Sequence, residues 1–483
     1  MSTVTNVINL DKIAPIFIDS KWTVTETTYT LTFPYTGEAI TEVSLATRKE
    51  AEKAVQSAVS AKKDVAELPL WKRAAILNKA AELVSQRQEE LATLIVYETG
   101  KTLRDAKGEV NRAVSTLRFS AEAARSLHGD MIPIDAMEGG EGRISYTIRE
   151  PIGVVAAITG FNFPLLLAAH KLGPAIAGGN PVILKPAPQT PLSSLELAKI
   201  FEQSGLPQNG LQVLTGDAEV GEYLVVHPET ALITFTGSSK VGKQIRQIAG
   251  YKKVLLELGS NAATVIDCGA NLDLAVERCV MGSMSSVGQS CISVQRVFVH
   301  ETLYEEFIDR VKDVVTGLKT GDPFSENTDV PSLISLEASE RISDWIQEAV
   351  ESGARLLAGG NLKDRILEPT LLADVKPDMK VSCEEIFGPV ITVAPFISFV
   401  DAVNEVNNSK YGLQAGVFTN NMSHAFYSIK HIQAGGVQIN EVSNFRADHM
   451  PYGGVKDSGM GKEGPKYALD EMTVPKLVGF RMI

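Results

Sequence analysis

Two hydrophobic patterns follow one another along the chain. Short apolar runs up to about Thr47 predict strands, and apolar residues then recur every three or four positions as far as Leu127, which predicts amphipathic helices. From Pro151 onward the pattern changes to short continuous apolar runs, such as GVVAAIT, PVILKP and ALITFTG, that alternate with helical segments. Buried parallel strands separated by helices have this pattern, so the chain is predicted to be an α/β protein.

The same alternation returns after KVLLELG and continues to about Asn440, with apolar runs such as RVFVH, PVITVAPF and AGVFTN. We therefore predict two doubly wound parallel-sheet domains joined near Leu258. The last twelve residues, MTVPKLVGFRMI, predict a further strand. Together with the stretch from Arg143 to Arg149, this strand is expected to form a small sheet that pairs with another subunit.

Capping residues mark helix ends at two places. Gly100 follows a long helical segment and is predicted to end it, since glycine readily adopts the left-handed conformation found there. In the helix after PVILKP, Thr190 is predicted as the N-cap and Pro191 as the first helical residue. Gly205 is predicted to lie just past the end of that helix.

Composition narrows the class of protein. The 483 residues carry a net charge of −12, which argues against a nucleic acid partner because such binding needs a positive surface. No basic segment followed by an apolar one opens the chain, and no apolar run is long enough to cross a membrane. A cytoplasmic protein without a membrane partner is therefore predicted.

The four cysteines are Cys268, Cys279, Cys291 and Cys383, and none of them shows C-x-x-C spacing. Neither a metal site nor a disulfide framework is predicted from this spacing, which fits a reduced cytoplasmic protein. Cys268 and Cys279 lie in apolar patterns and are expected to be structural.

The segment TFTGSSKVGKQ, residues 234–244, is close to a phosphate-binding P-loop. Gly237, Gly242 and Lys243 match the pattern G-x-x-x-x-G-K-[ST], but Gln244 replaces the hydroxyl residue that binds Mg²⁺. A P-loop ATPase or kinase is therefore a rival enzyme class. A strand end, a glycine and a helix N-terminus also suit a dinucleotide pyrophosphate, with Lys185 reaching a ribose or phosphate. The plain alternatives are an ordinary helix cap and a solvated lysine.

Three residues in separate segments are candidates for chemistry. Cys291 lies between a predicted helix and a predicted strand among small residues, and is either a nucleophile or a small buried side chain. Glu257 ends an apolar strand, where burial would raise its pKa toward that of a general base; the alternative is a glutamate that points to water. The amide of Asn162 could donate to an oxyanion, or Asn162 could be a turn residue before Pro164.

Seven segments, in this order along the chain, resemble those of the aldehyde dehydrogenase superfamily: FNFP, KPAPQTP, FTGSSKVG, LELGSN, GQSC, EEIFGPV and PYGGVKDSG. The resemblance covers nearly the whole chain and is nearest to the branch of lactaldehyde, semialdehyde and non-phosphorylating glyceraldehyde-3-phosphate dehydrogenases. It implies a variant Rossmann cofactor domain in residues 1–127 and 147–257 and a catalytic domain in residues 258–457. Residues 128–146 and 458–483 would form a β segment that builds homodimers or homotetramers.

The resemblance also implies roles for the three candidates. Cys291 would attack the aldehyde carbon and form a thiohemiacetal, then a thioester, while its backbone N–H and the Asn162 amide hold the oxyanion. Glu257 would activate the water that releases the carboxylic acid. A CoA-acylating enzyme would not need Glu257, and a catalytically silent protein of the same fold would not need all three; these remain the alternatives. The sequence departs from the usual motifs, without losing a catalytic group, at Gly160, Ser260, Ala263, Ser286 and Val287.

NAD or NADP is the cofactor that the resemblance implies. Lys185 resembles the adenosine-ribose contact of the family, Ser238 the pyrophosphate contact, and Glu385 with Phe387 the nicotinamide-ribose contact. Pro188 stands where many NAD-preferring relatives have a glutamate that repels a 2′-phosphate, so the preference for NAD is slight. The other cofactor residues implied are Thr159, Gly160, Phe161, Gly216, Phe235, Thr236, Gly237, Val241, Leu258 and Gly259.

Two arginines are predicted to bind the substrate. The guanidinium groups of Arg112 and Arg446 would suit a carboxylate, phosphate or sulfonate, because a planar fork of donors matches such anions. In the alternative, Arg112 is solvated on its helix and Arg446 is a structural ion-pair partner. Phe163, Ser290 and Ile292 complete the predicted substrate pocket. The predicted substrate is therefore a short aldehyde with a charged or hydroxylated tail.

Overall fold

The computed structural model describes residues 13–482 of the chain. The first twelve residues, where the predicted absence of a leader falls, and Ile483, the end of the predicted terminal strand, lie outside the described residues. No helix in the described part of the chain is long and apolar enough to cross a membrane.

One large sheet has eight strands, and its five central strands are parallel. In spatial order the strands are Lys21–Thr23, Ile16–Ile18, Leu211–Val213, Val182–Lys185, Val154–Ile158, Thr230–Thr236, Lys253–Glu257 and Gly459–Met460. The chain order reverses between Val154–Ile158 and Thr230–Thr236, which lie side by side. Such a switch point opens a crevice at the carboxyl ends of the two strands, where ligands of α/β proteins bind.

A second sheet has seven strands, and all but one edge strand run parallel to their neighbours. In spatial order they are Arg355–Ala358, Thr370–Ala373, Val390–Phe396, Arg296–His300, Ala263–Ile266, Gln414–Phe418 and Gly436–Ile439. Helices cover the two sheets, and separate apolar clusters pack against each of them. The predicted α/β class with two parallel-sheet units is confirmed.

Three small antiparallel sheets complete the strands. Thr473–Arg481 pairs along its whole length with Arg143–Pro151, to which Met131–Ile132 adds, so the predicted pairing of the terminal strand is confirmed. The other two are hairpins, and their strands are Thr28–Thr32 with Ala39–Ser44, and Leu362–Lys363 with Ile366–Leu367. Gly459–Met460 belongs to the eight-stranded sheet although it falls inside the predicted bridging residues 458–483; the domain boundaries stay a prediction.

The helices follow the predicted pattern with one break. The long helical segment before Gly100 is two helices, because Arg87 leaves the helical conformation between them. The α-helices are Arg48–Ser60, Lys62–Ala66, Leu70–Gln86, Gln88–Thr99, Leu103–Arg125, Pro164–Ala177, Leu192–Gln203, Ala218–Val226, Ser239–Ile248, Leu272–Met284, Glu301–Gly317, Leu336–Glu351, Lys380–Cys383, Phe399–Asn407, Met422–His431 and Pro465–Glu471.

The predicted cap at Thr190 is wrong. The helix begins at Leu192, and the Thr190 hydroxyl has no hydrogen-bond partner within residues 13–482. The buried carboxylate of Glu98, which is distant in sequence, accepts hydrogen bonds from the backbone N–H groups of Leu192 and Ser193 instead. A carboxylate from another helix thus satisfies donors that a local cap would otherwise take.

Other local predictions have mixed outcomes. Gly100 and Gly205 both have a positive φ, at +74° and +82°, and both end a helix as predicted. Cys279 is buried, as expected of a structural cysteine, but Cys268 is exposed, so that prediction is wrong for Cys268. Cys268 follows the last residues of a strand, where the chain turns out of the core at Gly269.

Candidate active site

A cavity of about 480 Å³ opens at the switch point of the first sheet, between the two large sheets. It brings together most of the predicted site residues, which arrive from separate segments. These are Arg112, Gly160, Phe161, Asn162, Phe163, Thr236, Gly237, Ser238, Glu257, Leu258, Gly259, Ser290, Cys291, Ile292, Glu385, Phe387 and Arg446. The predicted cofactor residues outside its lining are Thr159, Lys185, Pro188, Gly216, Phe235 and Val241.

The thiol of Cys291 is half-buried in this cavity, and its Sγ lies 2.9 Å from the Tyr452 hydroxyl. Burial raises the pKa of Cys291 to about 12, although the hydrogen bond from Tyr452 and the positive charge of Arg446 oppose the rise. The thiol is therefore protonated near neutral pH in this state. To act as a nucleophile it must lose its proton to a base when the reaction begins.

The loop that carries Cys291 has an unusual backbone. Ser286, Val287 and Gly288 all have a left-handed conformation, with φ of +50°, +58° and +68°. A β-branched residue such as Val287 rarely adopts this conformation, so surrounding contacts must hold it. One contact is the hydrogen bond from the Ser286 N–H to the Asp105 carboxylate, at 3.1 Å. The departures from the family motif at Ser286 and Val287 thus fall on the turn that delivers the thiol.

Asn162 lies beside this loop at the end of the first sheet. Its side-chain Nδ2 donates to the carbonyl oxygen of Gln289 at 2.9 Å, which links the two halves of the cavity. A side-chain amide carries two N–H groups, so a second donor remains for a ligand oxygen. The backbone N–H of Cys291 donates no hydrogen bond to another group within residues 13–482.

Glu257 is buried in the same cavity, and its Oε2 has no hydrogen-bond partner among residues 13–482. Burial and the nearby charge of Glu463 raise the pKa of Glu257 well above its usual range, while Arg446 and Lys171 act against the rise. A raised pKa makes the Glu257 carboxylate a stronger base than an ordinary carboxylate. This is the property that a general base needs.

Two buried cations, Arg446 in the lining of the cavity and Lys171 next to it, share one carboxylate. Lys171 Nζ lies 3.1 Å from Glu463 Oε1 and 3.1 Å from the Thr234 hydroxyl, and an Arg446 nitrogen lies 3.1 Å from Glu463 Oε2. Burial alone would raise the pKa of Glu463, but Lys171 and Arg446 lower it to about 2. Glu463 is therefore ionised, and this trio carries one excess positive charge.

Arg446 joins that trio to a second pair. Its guanidinium lies 3.7 Å above the ring of Tyr452 and 3.2 Å from His170 Nε2. His170 Nε2 lies 3.5 Å from Asp448, and Asp448 also binds Arg112 at 2.8 Å. The predicted alternative of a solvated Arg112 is therefore wrong. The Nε atom of Arg446 is buried without a partner in the described structure, so one donor of this arginine is unused.

The predicted nicotinamide end of the site is formed around Glu385. Its carboxylate accepts a hydrogen bond from the Ser260 N–H at 2.8 Å and packs so closely on Gly259 that a Cβ there would lie 2.3 Å from it. Burial raises the pKa of Glu385 to about 7. The rings of Phe161 and Phe387 meet edge to face, with centroids 5.7 Å apart, at the same end of the cavity.

The adenosine end of the predicted site lies along the helix Ser239–Ile248. Ser238 caps this helix, accepting from the Val241 N–H at 3.3 Å, and the Phe235 ring lies directly under Gly237. Lys185 is buried, and burial lowers its pKa to about 8.

Other residues of this region show how it is held. The Pro188 carbonyl accepts from the Tyr29 hydroxyl at 2.9 Å, and Gly216 packs on Val220. Lys243, the lysine of the P-loop alternative, is instead paired with Asp457 at 2.5 Å and does not line the cavity.

These residues fit a dinucleotide. The hydroxyls of Thr159 and Thr236 are buried without partners among the described residues, although both lie where the crevice of the switch point begins. Ser238 offers a helix N-terminus of the kind that binds phosphate groups. No group of three or more His, Cys, Asp or Glu side chains in the described part of the chain could hold a metal ion.

Sequence reasoning missed the charged residues behind the cavity. Lys171 and His170 lie in the apolar helix Pro164–Ala177, where buried polar residues are the available signal. Tyr452 lies in the quoted segment PYGGVKDSG, and Glu463 follows it closely, yet neither spacing nor residue type indicates their partners. The partners come together only when the chain folds.

Comparison with known proteins shows which family the chain resembles. Residues 22–478 match the Aldehyde dehydrogenase family. The chain is 44% identical over 464 residues to 3-sulfolactaldehyde dehydrogenase of Priestia aryabhattai, with 96% of this chain and 97% of that protein covered.

Solved structures agree with this match. The crystal structure of aldehyde dehydrogenase 21 from Physcomitrella patens, in complex with the reaction product succinate, is 39% identical with a TM-score of 0.95, covering 98% of this chain and 99% of that one. A crystal structure of glyceraldehyde-3-phosphate dehydrogenase from Methanocaldococcus jannaschii, complexed with NADP, is 36% identical with a TM-score of 0.91, covering 94% and 100%. The resemblance of the seven segments is confirmed: the chain belongs to the aldehyde dehydrogenase family and is an NAD(P)-dependent oxidoreductase of aldehydes.

Proposed function

We propose that this protein oxidises a short aldehyde with an anionic or hydroxylated tail to the carboxylic acid, through a covalent intermediate on Cys291. The observation that carries the proposal is the convergence of Cys291, Asn162, Glu257 and the unused Nε donor of Arg446 on one cavity. The thiol can attack the aldehyde carbon, and the amide can donate to the oxyanion. The carboxyl group can activate water for hydrolysis, and the cation can bind the tail of the substrate.

In the first step the Cys291 thiol gives its proton to a water molecule, which carries it to solvent, and the sulfur bonds to the aldehyde carbon while the carbonyl oxygen takes the negative charge. The second amide N–H of Asn162 and the backbone N–H of Cys291 donate to this oxygen. A bound NAD(P)⁺ would supply the acceptor for the hydride of the same carbon. Thr159, Thr236 and Ser238 would hold the cofactor together with Lys185 and Glu385, and a thioester on Cys291 remains.

In the second step water attacks the thioester carbon and the Cys291 thiolate leaves. Glu257 takes the proton of that water, which it can do only as a carboxylate. Because the pKa of Glu257 is raised, its ionised fraction grows over a pH range above the one usual for a carboxyl group, and hydrolysis gains as the pH rises through that range. A carboxyl group in this place supports hydrolysis rather than transfer to CoA.

The tail of the substrate is proposed to be anionic because of the charge around Arg446. Lys171 and Arg446 share the single carboxylate of Glu463, which leaves one positive charge unbalanced, and burial favours the uncharged form of Glu257. An anion near the unused Nε of Arg446 would balance the excess and satisfy that buried donor. The relative from Priestia aryabhattai reported above acts, by its name, on 3-sulfolactaldehyde, whose tail is a sulfonate.

NAD and NADP are both proposed as cofactors, with a slight preference for NAD. Pro188 has no carboxylate to repel a 2′-phosphate or to accept from the ribose hydroxyls, and its carbonyl is already bound by Tyr29. The absence of that carboxylate removes the strong discrimination that a charged side chain would give.

The basic test is the absorbance of NAD(P)H when the protein meets a panel of aldehydes with either cofactor. We expect turnover without added CoA, and Cys291→Ala should lower the rate by about 10³-fold or more because it removes the nucleophile. Cys268→Ala, which changes an exposed cysteine, should leave the rate within about twofold. Full activity of Cys291→Ala would exclude the covalent route, and a strict need for CoA would favour the acylating alternative.

The tail hypothesis is tested with lactaldehyde and 3-sulfolactaldehyde, which differ by the sulfonate. Arg446→Lys keeps the charge but loses the fork, so we expect KM for 3-sulfolactaldehyde to rise about tenfold while KM for lactaldehyde changes by less than about threefold. Arg118→Lys, on the exposed face of the helix that carries Arg112, is the control and should change neither. NAD(P)H binding by fluorescence checks that each variant is folded. Equal losses for both aldehydes would assign Arg446 to a structural ion pair only.

We also propose that the strand Thr473–Arg481 joins subunits into a homodimer or homotetramer. Its side chain Phe480 is 54% exposed, and Ile144 and Ile148 of the paired strand, which lie on the same face of the sheet, are 43% and 39% exposed. An apolar sheet face of this kind is typical of an interface between copies of a chain.

Light scattering coupled to gel filtration tests this interface. The wild-type protein should have the mass of two or four chains, and Ile148→Glu with Phe480→Glu should give a smaller species because charges are buried at the contact. Ile397→Glu, at another exposed apolar position, should not change the mass. A monomeric wild-type protein, or a double variant of unchanged mass, would contradict the proposal.

A further inference from the structure

A buried ion pair lies directly behind the loop that carries Asn162. The Lys101 ammonium and the Glu109 carboxylate are 2.9 Å apart, and their side chains are 2% and 0% exposed. Lys101 follows the helix terminus at Gly100, and Glu109 belongs to the helix Leu103–Arg125. Two charges out of water are stable only when their remaining donors and acceptors are also satisfied, so their other contacts show what the pair holds in place.

Lys101 holds the backbone of the Asn162 loop. Its Nζ donates to the Asn162 carbonyl oxygen at 2.6 Å and lies 3.9 Å from the centre of the Phe163 ring. The ammonium group has three N–H donors, and the Glu109 carboxylate, the Asn162 carbonyl and the aromatic face account for all three directions. A lysine with every donor engaged has little freedom to move.

Glu109 holds the segment that follows. Its Oε1 accepts hydrogen bonds from the Leu165 N–H at 2.9 Å and the Leu166 N–H at 3.2 Å. These are among the first N–H groups of the helix Pro164–Ala177, which have no partners inside their own helix. A negative charge at that end is also favoured by the helix dipole. The segment 162–166 is thus fixed by one ion pair at both of its ends.

This arrangement controls where the Asn162 amide points. The rotamers that a side chain can adopt depend on the backbone torsions of its residue, so fixing the Asn162 carbonyl limits the positions of its amide. That amide reaches the Gln289 carbonyl, two residues before the nucleophile Cys291. We infer that Lys101 and Glu109 are positioning residues, which hold Asn162 so that its amide meets the oxyanion formed at Cys291. The inference rests on the proposed oxyanion role of Asn162.

The experiment is a double-mutant cycle read by the first turnover. Lys101→Met with Glu109→Gln removes both charges together, so that no unpaired charge stays buried. The burst of NAD(P)H is measured for this pair variant, for Asn162→Ala and for their combination, with the aldehyde that the wild-type protein oxidises fastest. The matched control is Lys107→Met with Glu89→Gln, which removes an ion pair of 2.8 Å at the surface of the helices on either side of Lys101. NAD(P)H fluorescence and the alkylation rate of Cys291 by iodoacetamide report an intact cofactor site and thiol.

We expect the pair variant to slow the burst by about tenfold or more when Asn162 is present, with a change in KM below about threefold. In the Asn162→Ala background the same change should slow it by less than about threefold, because a residue that acts through Asn162 has nothing left to position. The control pair should change neither rate.

Three results would overturn the inference, and they differ from one another. An equal slowing in both backgrounds would mean that the pair stabilises the fold or acts elsewhere. No slowing in the presence of Asn162 would mean that the pair does not position it. A normal burst in Asn162→Ala alone would remove the oxyanion role from the proposed function, and the positioning role with it. If the pair variant loses NAD(P)H binding, Glu109→Gln alone, which keeps acceptors for Lys101 and the helix, is compared in the same two backgrounds.

Discussion

Charge buried between the two large sheets is the constraint on which the site depends. Lys171, Arg446 and Glu463 lie in contact away from water, where each ion would be costly without its partners. The three come from a helix of the first unit and from segments near the end of the chain. Their pairing therefore ties distant parts of the sequence together at the floor of the cavity.

The chemistry of the site follows from that constraint. Burial in a low-dielectric cavity raises the pKa of the Cys291 thiol and of the Glu257 carboxyl, and the nearby cations limit how far both pKa values rise. Arg446 takes part both in the buried ion pairs and in the pKa shifts, since it contacts Glu463 and Tyr452 and still has one donor unused. The same charges that hold the two sheets together thus set the proton affinity of the reacting groups.

Much of the fold and of the site could be predicted from sequence, and the failures have a common cause. The apolar runs predicted the parallel strands correctly, because a strand that is buried on both faces has an unbroken apolar sequence. Cys291 and Glu257 could be identified because they lie in segments that resemble those of a known family. The Thr190 cap failed because its function is performed by Glu98, 94 residues before Leu192. Pairs such as Lys101 with Asn162 have no local pattern, since only the folded chain brings them together.

The covalent intermediate is the central claim, and mass spectrometry of the Glu257→Gln variant tests it most directly. With its water-activating group removed, this variant should release about one NAD(P)H per active site when mixed with aldehyde and NAD(P)⁺, and then stall. Digestion of the stalled protein should give a peptide in which Cys291 carries the added mass of the acyl group. A burst without any adduct, or an adduct on Cys268 or Cys383 instead, would contradict the claim.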